Sequence, residues 1–380
     1  MHILVWCALA ALVLMPDLVD ARQLHKVNCL KRQTIADALK RADPGDIIRL
    51  TGTCEERVVI QVDGITLDGQ GTAVIEGGGG PTTVADGGVV VVDGARRVSL
   101  VGLTIRNGAS HGINGKNGAS LSLTGVIVQD NASIGVVLAN NTSAEITDST
   151  IQRSGTIGLD VFNSSTAVLR GAVAVSASQR NGIEIASGGT LEIRGGSVQT
   201  TNNGGSGLDV TDGRAVIFGP PESQGSALTA TGNAGDGIFV ASGSLNTFGG
   251  AFKGTGTFAI TSSGNGGSGI SLDQAGTVIS PYGAAKFILE NNVTGLTATD
   301  QSRALIIGGL QVQHNQTGVF ADGAGTLTFV SIPPNPSSIV NNATKDVNLN
   351  FGTRASLFDV TIGTIVCDTT VLSRGSSVCP

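Results

Sequence analysis

Aromatic residues make up only 3% of this 380-residue chain, and their scarcity excludes more than any motif does. The single tryptophan is Trp6 and the single tyrosine is Tyr282. Grooves that grip sugar rings and platforms that stack bases draw much of their contact energy from aromatic faces. Charge is also scarce. Asp, Glu, Lys and Arg together form 14% of the chain, and the net charge is -6. That balance excludes the basic footprint of a nucleic-acid binder. With 40% hydrophobic residues, low charge equally excludes a disordered chain. Cysteines are few, and none stands at the C-x-x-C spacing of a zinc site.

The one long apolar run is Ile3–Met15, followed by Pro16 and Val19-Asp20-Ala21. It is short for a bilayer span and reads as a secretory signal cleaved after Ala21. The expected mature protein is secreted or periplasmic, with no membrane segment. Cys7 leaves with the signal, and Cys29, Cys54, Cys367 and Cys379 remain. Four cysteines allow three pairings. Proximity favours Cys29–Cys54 and Cys367–Cys379, one staple near each end, as an oxidising compartment permits.

What the chain has in excess is glycine, 56 residues, and they are periodic. Gly112, Gly135, Gly158, Gly182, Gly207, Gly237, Gly269, Gly295 and Gly318 each precede an apolar–x–apolar stretch, at gaps of 23, 23, 24, 25, 30, 32, 26 and 23 residues. A period in the low twenties is too short for helical pairs and fits a coil of three short strands in a β-solenoid. Between Gly182 and Gly207, Ile183 and Ile185 alternate with Glu184, Leu191 and Ile193 alternate with Glu192 and Arg194, and Val198 anchors a third strand. Period-two alternation puts aliphatics inside and polar residues outside. About ten such coils are expected. The two longest gaps call for projecting loops, with Gly219–Ser223 the best candidate in the first.

An asparagine precedes most of the glycines: Asn107, Asn131, Asn181, Asn203, Asn233, Asn265, Asn292 and Asn315. Asparagine tolerates the left-handed conformation of a tight turn, and stacked side-chain amides can hydrogen-bond along the axis. Thr34–Asp43 has helical spacing, with Thr34 as N-cap, Ile35, Ala38, Leu39 and Ala42 on one face, and Pro44-Gly45 as the stop. Such a helix would cover the first coil, where bare strand edges would otherwise recruit other chains.

The segment from Thr34 to Gly77, together with the Gly-apolar-x-apolar coils from Gly112 to Gly318, resembles pectate-lyase-like right-handed parallel β-helix proteins. The resemblance implies an all-β fold, a right-handed parallel β-helix (β-solenoid) with a short N-terminal capping helix. The organisation expected is a signal peptide at 1–21, an N-terminal cap at 22–57, the β-helix at 58–350 and a C-terminal cap at 351–380. The superfamily includes lyases, glycosidases, epimerases and adhesins, so the resemblance is specific for fold and not for activity.

Candidate chemistry lies at the outward position two residues after each glycine. Down the stack it reads Asn114, Val137, Asp160, Glu184, Asp209, Phe239, Ser271, Thr297 and Phe320. Three carboxylates in consecutive coils, about 4.8 Å apart, resist joint ionisation. One must rise in pKa, or a cation such as calcium must bind. Adjacent carboxylates at about 5 Å also suit a retaining glycosidase. Asp160, Glu184 and Asp209 are therefore the candidate catalytic or cation-binding residues. Asp236 and Phe239, beside them, are candidate substrate-binding residues. On another face, Arg170 and Arg194 stand ready to bind acidic sugars, as outward neighbours of Thr124 and Thr147. Asp236-Gly237 and His111-Gly112 match fragments of the polygalacturonase motifs, but in reversed order and five coils apart. The aspartate cluster and catalytic arginine of pectate lyases and the D-P-H-D of mannuronan epimerases have no counterpart. The expected function is a secreted, non-catalytic binding or adhesin-like module for an extended polymer such as a polysaccharide. The alternative is a lyase, hydrolase or epimerase acting on an acidic glycan.

Overall fold

The computed structural model describes residues 22–78, 87–219, 225–248, 258–333, 335–375 and 379. The expected signal region 1–21 and residues 220–223 of the expected loop lie outside them. Two parallel sheets wind around one aliphatic core, one of thirteen strands and one of twenty-two. Each coil adds one strand to the smaller sheet and then crosses the larger one in two strips. In one coil, Thr166–Leu169 runs in the first strip and Ala172–Ser176 in the second. The chain bends between the strips at Gly102, Gly125 and Gly171, with φ of 55°, 60° and 62°, a conformation open to glycine at no steric cost.

The expected alternation holds. Ile183, Ile185, Leu191, Ile193 and Val198 are buried, while Glu184, Glu192 and Arg194 point outward. The coils number more than ten, because thirteen strands stack in the smaller sheet. The additional strands are Val58–Ile60, Gly88–Asp93, Lys345–Leu349 and Ile365–Cys367. Register places Arg57, Val89, Asp346 and Thr364 where the other coils have the repeat glycine.

The glycine is required by a close approach. A Cβ on Gly207 would lie 2.7 Å from the Gly237 carbonyl and 2.8 Å from Asn233 Nδ2; one on Gly182 would lie 2.7 Å from both the Gly207 carbonyl and Asn203 Nδ2. The glycine of one coil thus makes room for the asparagine of the next. Those asparagines form a buried ladder. Asn203, Asn233, Asn265, Asn292 and Asn315 each donate both the backbone N–H and the side-chain Nδ2 to Oδ1 of the asparagine one coil on, at 2.9–3.1 Å. The last rung is Asn342, which gives both donors to Asp346 Oδ1 at 3.0 and 2.8 Å. Asp346 Oδ2 accepts Thr364 N–H and hydroxyl at 2.7 and 3.0 Å. Every group facing Asp346 is a donor, so an acceptor-only carboxylate terminates the ladder where an amide would not.

Two of the eight expected ladder residues belong elsewhere. Asn107 lies in the left-handed turn position, with φ of 56°, and Asn181 lies next to its glycine, where its carbonyl accepts Gly158 N–H. At the corresponding rungs the ladder has Gly108 and Ser178, and the coil between Asn131 and Ser178 has Ser154; the two serines are too short to reach the next coil. Asn131 Nδ2, Ser154 Oγ and Ser178 Oγ are buried with no hydrogen-bond partner among the described residues.

The N-terminal helix is shorter than its sequence spacing suggests, spanning Ile35–Leu39. It ends early because Asp46 Oδ2 draws the Asp43 N–H into a turn at 3.0 Å. Thr34 Oγ1 caps Asp37 N at 3.1 Å, and Glu56 accepts Ile35 and Ala36 N–H at 2.7 and 3.1 Å. Both disulfides pair as proximity favours, Cys29–Cys54 and Cys367–Cys379. Among the described residues no helix is long and apolar enough to cross a membrane.

The broken rungs and the ladder's end give three expected outcomes in denaturant unfolding. Ser154→Asn restores a rung and stabilises by about 1 kcal/mol, the net worth of a buried hydrogen bond. Gly207→Ala destabilises by about 1–3 kcal/mol through overpacking. For Asp346, burial raises the pKa, but the hydrogen bonds from Asn342 and Thr364 outweigh it and hold the carboxyl below its ordinary value. Its stabilisation is therefore complete above the ordinary carboxylate range and is lost as pH falls through the native value. Asp346→Asn should lower the midpoint at pH 7, and this deficit should shrink on acidification.

Candidate functional site

The smaller sheet places the expected column in register. Asn114, Val137, Asp160, Glu184 and Asp209 are successive strand partners, followed by Phe239, Ser271, Thr297 and Phe320. The three acids are thus neighbours on three adjacent strands. Their surroundings differ. Asp160 is only 9% exposed and accepts no hydrogen bond from a described residue. Glu184 and Asp209 share a donor, since Asn181 Nδ2 lies 2.9 Å from Glu184 Oε2 and 3.1 Å from Asp209 Oδ2. Ser206 N–H donates to Asn181 Oδ1 at 2.9 Å, which fixes the amide with its NH2 toward the acids. Thr211 donates to Asp209 Oδ1 at 2.8 Å.

The electrostatics follow from this asymmetry. Burial, reinforced by the charge of Glu184 and opposed by that of Arg180, pushes Asp160 up to about 7. Burial also raises Asp209, against the hydrogen bonds from Thr211 and Asn181. Asp236 is raised by burial too, although Ser268 N–H donates to its carboxylate. The column thus contains a carboxyl that stays protonated near neutrality beside carboxylates that have donors of their own.

The acids are stacked without converging on a point. Among the described residues, the one group of three His, Cys, Asp or Glu side chains close enough to share an ion is Cys29, Cys54 and Glu56, and its cysteines form a disulfide. Between Glu184 and Asp209 the amide of Asn181 occupies the bridging position that an ion would need.

Phe239 lies on the same sheet, one coil beyond Asp209, and Asp236 lies in the turn that leads into its strand. Arg170 and Arg194 do not join them, because both belong to the first strip of the larger sheet. Arg170 Nε pairs with Glu145 at 3.0 Å and Arg194 Nε with Glu192 at 2.6 Å. Next in the same outward column come Phe218 and Phe248. The Arg194 guanidinium lies 4.1 Å from the Phe218 ring centre, and the two rings stack at 5.8 Å. Within both overlong gaps a strand of the larger sheet ends in one of these phenylalanines.

Sequence reasoning missed Asn181 and this aromatic pair. Asn181 has a signal, since it stands one residue before its glycine whereas ladder asparagines stand three or four before. Phe218 and Phe248 occupy the same place in two aligned strands, a pattern that the total aromatic count conceals.

Residues 56–219 match the family model described as a right handed beta helix region. The chain folds as a right-handed parallel β-helix. The A-module of a mannuronan C-5 epimerase from Azotobacter vinelandii superposes with a TM-score of 0.52 at 14% identity, over 90% of this chain and 93% of that one. An alginate lyase from a Paenibacillus species gives 0.46 at 17% identity, over 90% and 99%. PfbA, a surface adhesin of Streptococcus pneumoniae, gives 0.38 at 10% identity, over 80% of each chain. At these identities the likeness concerns the fold alone. No curated protein sequence matches the chain.

A stability measurement tests the state of Asp160. Its native pKa lies above the ordinary value of 3.8, so its contribution is complete below that value and is lost as pH rises toward 7. Asp160→Asn should match wild type near pH 4 and melt several kelvin higher at pH 8, since each tenfold change in an acid's ionisation constant is worth about 1.4 kcal/mol. Equal melting at both pH values would contradict the assignment.

Proposed function

We propose that this is a secreted or periplasmic β-helix protein that holds an extended polymer, such as a polysaccharide, along its surface without cleaving it. The observation that supports this reading is the arrangement of the acid column. Its members lie in line along the axis, one per coil, and do not converge on a reacting point. A chain laid along the smaller sheet meets Asp160, Glu184, Asp209 and Phe239 in succession, with Asn181 and Asp236 beside them, and each presents a hydrogen-bonding or apolar contact to one repeat of the polymer.

Asp160 favours a second reading. A carboxyl protonated near neutrality next to Glu184 is the acid and carboxylate pair of a glycoside hydrolase. In that case Asp160 would protonate the leaving oxygen, Glu184 would attack or stabilise the sugar, and activity would fall as pH rises through 7.

Affinity electrophoresis in gels containing single uncharged polysaccharides, run beside assays for reducing ends and for unsaturated products, separates the readings. Binding without product, lost in Asp160→Asn/Glu184→Gln/Asp209→Asn with the thermal midpoint preserved, is the expected result. Product formation by wild type that the triple variant abolishes supports the hydrolase. Undiminished binding by the triple variant would remove the acid column from either role.

A further inference from the structure

The protein is acidic overall, but one of its long faces is basic. Three outward columns cover the first strip of the larger sheet. Three arginines there are spent on carboxylates, Arg49 on Asp68, Arg170 on Glu145 and Arg194 on Glu192. Five more, Arg97, Arg214, Arg303, Arg354 and Arg374, are exposed with no ion-pair partner among the described residues. Register puts Arg214, Arg303 and Arg354 in a single column with Ser244, Thr277 and Thr326 between them. Eight arginines therefore face three acids on this strip, in a chain whose net charge is -6. Besides Asp46, which pairs with His25, Asp63, which accepts Arg96 N–H, and Asp93, which lies beside Lys116, the turns entering the strip carry Asp212, Asp273, Asp300, Asp322 and Asp368. Three of these are occupied by backbone amides, Asp273 by Gln274, Asp322 by Gly323, and Asp368 by Phe351 and Thr370.

The face is also furrowed. A depression of about 440 Å³ is lined by Arg22, Thr66, Arg97 and Ser99. It is continuous, through Arg97 and Ser99, with one of about 470 Å³ that reaches Ser122, Glu145 and Val168. A third, of about 450 Å³, lies toward the other end at Thr326, Arg354, Ser356 and Arg374. The central column between the arginines and hydroxyls includes the partly exposed aliphatics Val168, Ile279 and Leu305.

The geometry points to this arginine face, with its depressions toward either end, as a binding site for an extended polysaccharide carrying carboxylate or sulfate groups, its chain running parallel to the solenoid axis. Free guanidinium forks meet the anionic substituents with charge-assisted hydrogen bonds. Serine and threonine hydroxyls meet the sugar hydroxyls, and the aliphatic floor meets the C–H faces of the rings. Coils repeat at about 4.8 Å, close to the repeat of a sugar chain, so successive sugars find equivalent contacts. Nucleic acid would need ring faces for its bases. Among the described outward residues of the strip, Phe218, Phe248 and Phe358 are the aromatic ones, all in one column, and Phe218 and Phe248 stack on each other. The site is on a different sheet from the acid column and does not rest on the function proposed above.

The test uses the full chain in affinity gels containing dextran, carboxymethyl-dextran, dextran sulfate or a thymidine oligonucleotide. Retardation by the two charged dextrans, none by dextran, and weakening with salt are expected. Arg214→Gln/Arg303→Gln/Arg354→Gln should weaken binding at least tenfold with its melting temperature unchanged. Lys31→Gln/Arg32→Gln/Arg41→Gln, with equal charge removed at the N-terminal end, should bind as wild type, and so should the acid-column triple variant. Equal losses in the two basic triple variants would mean diffuse attraction and overturn the site. So would full binding by the Arg214/Arg303/Arg354 variant, no retardation by either charged dextran, or tighter binding of the oligonucleotide than of either charged dextran.

Discussion

One buried interaction sets the terms for the rest of this molecule: an asparagine amide in one coil accepting the backbone and side-chain N–H of the asparagine in the coil before. A buried amide left unpaired costs more than a made hydrogen bond returns, so each rung obliges the next coil to present an asparagine at the same height. The rung also obliges the following turn to present a glycine, because any Cβ there would strike the next amide. Gly182 and Asn203, Gly207 and Asn233 are thus single two-residue solutions to one packing problem. At Asp346 the two positions merge: a residue at the glycine position turns its carboxylate back onto Asn342 and ends the series.

This coupling explains how much of the fold is legible in the sequence. The period, the inward aliphatics and the full outward column from Asn114 to Phe320 follow from glycine spacing, because glycine marks the strand start in every interior coil. The end coils escape detection because Arg57, Val89, Asp346 and Thr364 stand where the glycine would be. Asn107 and Asn181 share only the residue type of the ladder, whereas three-dimensional position depends on the offset from glycine. The site was legible as a list of acids but not as a circuit. Only the fold shows that Asn181 serves Glu184 and Asp209 and leaves Asp160 without a donor among the described residues. Composition also hid local structure. Few aromatics in total did not preclude Phe218 and Phe248 from meeting in adjacent coils, and an acidic total did not preclude an arginine face.

With the interior fixed by the repeat, variation is confined to outward columns, and each column can change without disturbing its neighbours. The smaller sheet has gathered acids over three coils, while the first strip of the larger sheet has gathered arginines and hydroxyls along its length. A solenoid allows this separation because each outward residue touches only its equivalents above and below and its neighbours along the strand. The two faces are therefore independent candidates for function.

The central claim about function is that the acid column is an organised site and not three solvated carboxylates. Carbon-detected NMR titration of the side-chain carboxyls of Asp160, Glu184 and Asp209 tests it most directly. A midpoint near 7 for Asp160, with its resonance responding to the ionisation of Glu184, is the predicted result. Three independent midpoints in the ordinary range near 4 would contradict it.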